Sequence, residues 1–234
     1  MRDQLTHAIE DYLKTIYDLS ILHGRVTTTQ LAKALEVTPA SITGMLQKLA
    51  AAQPPLVDYQ KHYGVTLTSE GEKIALEIVR THRLLELFLH KTLGYSWDQV
   101  DAEADRLEHV VSDEFEERIA QVLGDPTHDP HGDPIPTRDL ELPSHAKLCL
   151  CELQPGQRGT IQRVRDHDAD LLCYLSERGV VPNAVFKVID QSPFDNNITL
   201  KIDGQKSNIV LGPRIVHQIF VEIDEELSSD AEGS

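Results

Sequence analysis

The chain has 234 residues, 40% of them hydrophobic, and a formal net charge of −16. That length holds one large domain or two small ones, and no apolar run reaches the length of a helical membrane span. The start, Met1-Arg2-Asp3-Gln4, is polar and lacks a secretory signal, so a soluble, cytoplasmic protein with no membrane partner is expected. The charge is uneven. Residues 1–75 carry seven Lys and Arg against eight Asp and Glu, residues 97–142 three against fourteen, and residues 222–234 none against six. The net charge looks wrong for a nucleic-acid binder, but the acidity sits in the middle and the tail, and the N-terminal third is near neutral.

In chain order, residues 3–20 predict an amphipathic helix, with Ile9, Leu13, Ile16, Tyr17 and Leu19 at near-helical spacing. His23-Gly24 ends it. Thr28 to Leu35 predicts a second, short helix, and Glu36-Val37-Thr38 a tight turn. Thr38 is the expected N-cap and Pro39 suits the first turn of a third helix that runs to about Ala51. Leu56–Tyr59 and Val65–Leu67 alternate like two strands around a polar hairpin, Gln60-Lys61-His62-Tyr63-Gly64. Helix, helix, turn, helix, hairpin is the order of a winged helix-turn-helix.

Thr68-Ser69-Glu70-Gly71-Glu72 has capping character and opens a long helix to about Leu93, stopped by Gly94. Ser96 to about Val111 predicts another helix, and Asp113 to Leu123 a third. Residues 124–145, rich in Pro, Gly, Asp and His, read as a linker; His128 and His131 could bind metal, but exposed linker histidines are expected. From 146 onward short strands dominate: 159–164, 185–189, 198–202, 208–211 and 219–223. A helix is expected over 168–178, and Asp203-Gly204 is a hairpin turn. These strands predict a small, partly open β-barrel. Cys149, Cys151 and Cys173 fit neither a disulfide framework nor a zinc knuckle, and reduced thiols near strands are expected. The acidic end, from residue 224, reads as a solvated, disordered tail. The fold class is thus α+β.

Two sets of residues carry chemistry. On the third helix, Thr38, Ser41, Thr43, Gln47 and Lys48 offer short polar groups and a cation to phosphates and base edges. Pro39 and Ala40 suit thymine methyls, and Lys61, His62 and Tyr63 form the wing. The second set is metal-like. Asp101, Asp105, Glu108 and His109 recur at helical spacing, His82 and Glu86 are four apart, and Asp11 lies on the first helix. Carboxylates and imidazoles without thiolate suit a divalent metal such as manganese or ferrous iron. So many buried carboxylates need a cation. A metal-dependent hydrolase could use such a cluster, but it would have no use for a helix-turn-helix, and no phosphate-cradling glycine loop is present. An enzyme is not expected. A further reading is a metal-binding winged-helix protein acting through a protein partner.

At Glu10-Asp11-Tyr12-Leu13-Lys14-Thr15-Ile16-Tyr17, Val79-Arg80-Thr81-His82-Arg83-Leu84-Leu85-Glu86 and Glu108-His109-Val110-Val111-Ser112-Asp113-Glu114, the chain resembles the diphtheria-toxin-repressor/manganese-transport-regulator family of metal-dependent transcription repressors. Pro130-His131-Gly132-Asp133-Pro134-Ile135-Pro136 resembles the family's segment before its linker. Leu175-Ser176-Glu177-Arg178-Gly179-Val180-Val181-Pro182 resembles its SH3-like domain. The resemblance implies a DNA-binding domain over 1–73, a helical metal-binding and dimerisation domain over 74–124, a linker over 125–145 and an SH3-like domain over 146–223. It implies a homodimer that binds palindromic operator DNA when metal-loaded, with two metal sites per protomer. It places Asp11, Asp105, Glu108 and His109 in the regulatory site, and His82, Glu86, Asp101 and Asp168 in the other. A second barrel ligand would fall on Leu171, with His167 or Asp170 as substitutes. Iron-responsive members present methionine and cysteine where this chain has Asp11 and Asp105, so Mn(II) is expected over Fe(II). Lys14 stands where short manganese regulators carry a glutamate.

Overall fold

The computed structural model describes residues 5–165 and 168–224. It divides into two compact units, Met1–Leu85 with Ala104–Gly124 and Ile135–Leu142, and Glu86–Glu103 with Asp125–Pro134 and Pro143–Ser234.

In the first unit, α1 (His7–His23) ends at Gly24, whose φ of 68° is a conformation that favours glycine. α2 (Thr28–Ala34) opens on a full capping box between Thr27 and Gln30. α3 (Pro39–Ala50) opens on Thr38, whose hydroxyl accepts from Ser41 N. β1 (Val57–Gln60) and β2 (Gly64–Leu67) pair antiparallel, from Val57 opposite Leu67 to Gln60 opposite Gly64. Their core is drawn from the apolar stripes of the three helices and the hairpin: Leu13, Ile16, Leu31, Ile42, Leu46 and Val65 are all fully buried. The winged helix-turn-helix order is thus realised. The first four residues lie outside the described ones, and α1 starts at His7 behind its N-cap Thr6.

α4 (Ser69–Leu93) is the long helix expected. The next helix is shorter than its pattern: α5 covers only Val100–Leu107, and residues 108–110 form a turn. α6 (Asp113–Leu123) is capped by Ser112 and closed by Gly124 at φ 77°.

The second unit holds a six-stranded antiparallel sheet in the order β3-β8-β4-β5-β6-β7, an open sheet in which β3 and β7 are the edges. The strands are β3 (Leu148–Cys149), β4 (Arg158–Val164), β5 (Val185–Gln191), β6 (Ile198–Ile202), β7 (Ile209–Leu211) and β8 (Ile219–Ile223). Burial alternates along β6, with Ile198, Leu200 and Ile202 inward. Register shifts at Ile161/Arg163 and Val188/Asp190 bend the sheet over Phe186, Leu172 and Leu175. α7 (Ala169–Ser176) and the short α8 (Pro213–Val216) complete it. Against the sequence expectation, Cys149 and Cys151 are joined as a disulfide across the 3-10 turn Leu150–Glu152, which brings their Cα atoms to 5.2 Å; Cys173 is free and exposed.

The middle of the segment read as a linker is packed. Residues 131–136 are all buried. Asp129 Oδ1 accepts from His131 N and Asp133 N at 2.8 and 2.9 Å, folding the Pro-Gly-Asp composition into a tight turn. Val164 N donates to His131 O at 2.9 Å, and Arg163 pairs with Asp133. Gly132, at φ 86°, lies so close to β4 that a Cβ would stand 2.0 Å from Gln162 O.

Candidate metal centre

Three groups of carboxylates and imidazoles, each drawn from a single unit, follow from these elements. The first joins α1 to the turn after α5. Asp11 on α1 and Glu108 and His109 in the turn bring one ligand atom each within 4.8 Å of one another. His109 Nε2 lies 2.9 Å from Asp11 Oδ1 and 3.5 Å from Glu108 Oε1. The imidazole is oriented from behind: its Nδ1 lies 2.5 Å from Glu10 Oε2, and His7 stacks on it at 4.8 Å. With the Nδ1 proton on Glu10, Nε2 presents its lone pair to the cluster, the arrangement that metal-ligating histidines use. Glu10 escaped the sequence reading because it looks like any first-turn acid; its burial, at 5% exposed, is a tertiary fact. Burial pushes the Asp11 carboxyl up, with repulsion from Glu108 adding, against the opposing pull of His109. Facing carboxylates of this kind favour a cation between them.

The second group is His82, Asp105 and Glu108. His82 Nδ1 lies 2.6 Å from Glu108 Oε2. Lys14 Nζ, from α1, donates to Asp105 Oδ1 at 2.8 Å and Glu108 Oε2 at 2.7 Å, and lies 2.9 Å from His82 Nδ1. Burial raises the Glu108 carboxyl, but its hydrogen bond with His82 and the Lys14 ammonium outweigh that and hold it below the carboxylate range. For Lys14, desolvation is likewise overcome by Glu108 and Asp105, and its ammonium is held more firmly protonated than usual.

The third group lies wholly in the second unit: Glu86, Asp129 and His131, all buried, with ligand atoms within 4.8 Å. His131 Nε2 lies 2.8 Å from Trp97 O, and Nδ1 lies 3.4 Å from Glu86 Oε1. Donation from Nε2 to that carbonyl turns the Nδ1 lone pair toward the carboxylates. His131 is 0% exposed, which corrects its reading as an exposed linker histidine. The signal lay in Asp129-Pro130-His131-Gly132, a turn able to face a carboxylate and an imidazole the same way. Asp101 on α5 brings a carboxylate oxygen within 4.8 Å of one from Glu86.

The expected ligands therefore sort unequally. Asp11, Glu108 and His109 come together, whereas Asp105, still within α5, pairs with Lys14. Asp168 serves as the N-cap of α7, accepting from Asp170 N and Leu171 N at 3.1 and 3.3 Å, with Arg214 at 3.8 Å. Among the described residues it joins none of the metal-type groups, and His167 lies outside them.

On α3, Thr38, Pro39, Ala40, Ser41, Gln47 and Lys48 are exposed, as are Lys61, His62 and Tyr63 on the hairpin turn. Thr43 is half-buried and its hydroxyl donates to Pro39 O at 3.0 Å.

Family models match three consecutive stretches: iron dependent repressor, N-terminal DNA binding domain, over 4–65; iron dependent repressor, metal binding and dimerisation domain, over 68–137; and FeoA domain, over 148–223. The iron-dependent repressor IdeR of Mycobacterium leprae is 34% identical over 233 residues, covering 94% of this chain and 99% of its own. A solved manganese-dependent transcriptional repressor in complex with manganese is 37% identical, with a TM-score of 0.82 over 91% of this chain and 98% of that one. ScaR with bound Cd2+ is 36% identical, with a TM-score of 0.79 over 92% and 98%. With its winged helix-turn-helix, its carboxylate and imidazole clusters and its C-terminal SH3-like domain, the chain belongs to the diphtheria-toxin-repressor/manganese-transport-regulator family of metal-dependent transcription repressors.

Proposed function

We propose that this protein is a homodimeric repressor that binds palindromic operators of metal-uptake genes when loaded with Mn(II), and that it is not an enzyme. The observation that carries this reading is the Asp11–Glu108–His109 group, which draws its ligands from both α1 and the turn after α5 and contains neither thioether nor thiolate. An oxygen-rich set with one imidazole fits Mn(II) better than a softer ion. Bound there, a divalent ion supplies positive charge between carboxylates that otherwise repel. Asp11 would then tie the first helix of the DNA-binding domain to Glu108 and His109, while Glu10 keeps His109 turned inward. That tie sets where α3 sits in each protomer, and two recognition helices must reach half-sites about 34 Å, or a multiple, apart. Thr38, Pro39, Ala40, Ser41, Thr43, Gln47 and Lys48 would enter the groove, with Lys61, His62 and Tyr63 on the flanking backbone.

A second ion per protomer would be held by Glu86, Asp129 and His131, with the Asp101 carboxylate near that of Glu86. We place the domain limits at 1–73, 74–124 and 146–223. Exposed Phe115 and Val122, seven apart on α6, together with Val110, support a dimer face in the helical domain. The manganese repressor at 37% identity supports Mn(II). The mycobacterial iron-dependent repressor supports a second reading, activation by Fe(II). Anisotropy of labelled duplexes from upstream of metal-transport genes, titrated with Mn(II), with Fe(II) without oxygen, or with chelator, separates the two. Equal affinity with and without metal would overturn both.

A further inference from the structure

Resting on the reading of Asp11, Glu108 and His109 as a metal centre, we propose that Lys14 is a built-in cation that fills the His82–Asp105–Glu108 group and keeps a metal ion out of it. His82, Asp105 and Glu108 have ligand atoms within 4.8 Å of one another, a span that one divalent ion can bridge. The point such an ion would take is held by Nζ, at 2.7 Å from Glu108, 2.8 Å from Asp105 and 2.9 Å from His82. Those are hydrogen-bond lengths; coordination to a divalent ion would need about 2.0–2.6 Å. The Lys14 side chain is 16% exposed and that of Glu108 1%, so each charge needs its partner close by. An ammonium has three protons and no lone pair, and two of the three find carboxylate oxygens here.

Glu108 is divided between the two groups. Its Oε2 takes Lys14 and His82, while its Oε1 faces His109 Nε2. Lys14 lies three residues after Asp11, on the same face of α1. Two consequences follow. The His82–Asp105–Glu108 group adds no ion to the one at Asp11. And α1 is already attached to Asp105 and Glu108 through Lys14, and to His109 through Glu10, before any metal arrives, so the ion reinforces an existing attachment rather than recruiting a loose helix.

The test uses the full chain and Mn(II) alone. Binding stoichiometry by equilibrium dialysis is combined with low-temperature EPR on the wild type, Lys14→Glu and Lys14→Met. Lys14→Glu should bind one more Mn(II) per protomer than the wild type. Because Glu108 would then bridge two ions, part of the six-line signal should be replaced by that of a coupled pair. Lys14→Met, which removes the charge without adding a ligand, should also gain an ion, more weakly. If Lys14→Glu loses its far-UV circular dichroism, Lys14→Met decides alone. A folded variant that gains no ion overturns the proposal. The metal reading is tested separately: if Asp11→Asn and His109→Ala leave the wild-type stoichiometry unchanged, that reading fails whatever Lys14 does.

Discussion

Removing the carboxylate behind His109 should weaken metal binding without touching a ligand. Glu10 Oε2 lies 2.5 Å from His109 Nδ1, and both side chains are nearly buried, at 7% and 10% exposed. The bond fixes which nitrogen carries the proton and which way the ring faces. Loss of such an outer partner costs roughly 10- to 100-fold in metal affinity. Glu10→Gln keeps an acceptor of the same size but drops the charge, so its Kd for Mn(II) at the Asp11–Glu108–His109 centre should rise about 10-fold, or ~1.4 kcal/mol. Glu10→Ala also leaves the Nδ1 donor without this acceptor and frees the ring to rotate; about 100-fold, or ~2.7 kcal/mol, is expected. Free Mn(II) is read directly from its EPR amplitude. The titration is best made in a His131→Ala background, which isolates this centre from the Glu86 group. At saturating Mn(II), duplex binding by Glu10→Gln should match that of the unaltered protein, because the DNA-facing residues are intact. If Glu10→Ala keeps its fold and its Mn(II) affinity, then His109 does not depend on Glu10 and the proposed geometry of the centre is wrong.

Ligand softness gives a second expectation. Asp11→Met should move the activation ranking from Mn(II) toward Fe(II) in the anisotropy assay, whereas Asp105→Asn should leave the ranking unchanged, since Asp105 faces Lys14 rather than His109. His131→Ala alone should lower the Mn(II) stoichiometry by one ion per protomer while the Asp11 centre keeps its affinity. Gly132→Ala should lower the melting temperature by several degrees: the residue sits at φ 86° with Gln162 O in the way of a Cβ, and backbone strain of this kind costs about 1–3 kcal/mol before the clash is counted. In chelator, stability should also depend on pH through His131. Desolvation lowers its pKa, but the neighbouring Glu86 and Asp129 carboxylates overcome this and push it up to about 9. A raised folded-state value means the contribution is complete below the unfolded pKa of about 6.5 and is lost as pH climbs through 9. Thermal melts of His131→Gln should lack that slope between pH 6.5 and 9, and a slope equal to that of the parent would refute the assignment.

Much of this protein was legible in its residue order. The winged helix-turn-helix is written in local chemistry: Thr27 with Gln30, Thr38 before Pro39, and apolar stripes every three or four residues. The strand alternation of 198–202 and the Asp203-Gly204 turn are equally local. Asp11, Glu108 and His109 meet in the structure over a long sequence separation, and the sequence pointed to them through a family resemblance rather than through local spacing. What could not be read locally is how each ligand is turned. Helical spacing placed Asp101, Asp105, Glu108 and His109 on one stripe, yet α5 stops at Leu107: Glu108 and His109 meet Asp11, Asp105 pairs with Lys14, and Asp101 lies near Glu86. Periodicity does not say where a polar helix end gives way to a turn, because both keep the same residues polar and exposed. The roles of Glu10, Lys14 and His131 were likewise set by tertiary structure. Each is an ordinary polar residue in an ordinary context until burial forces it to find a partner, and the energetic demand for that partner exists only once water has been excluded.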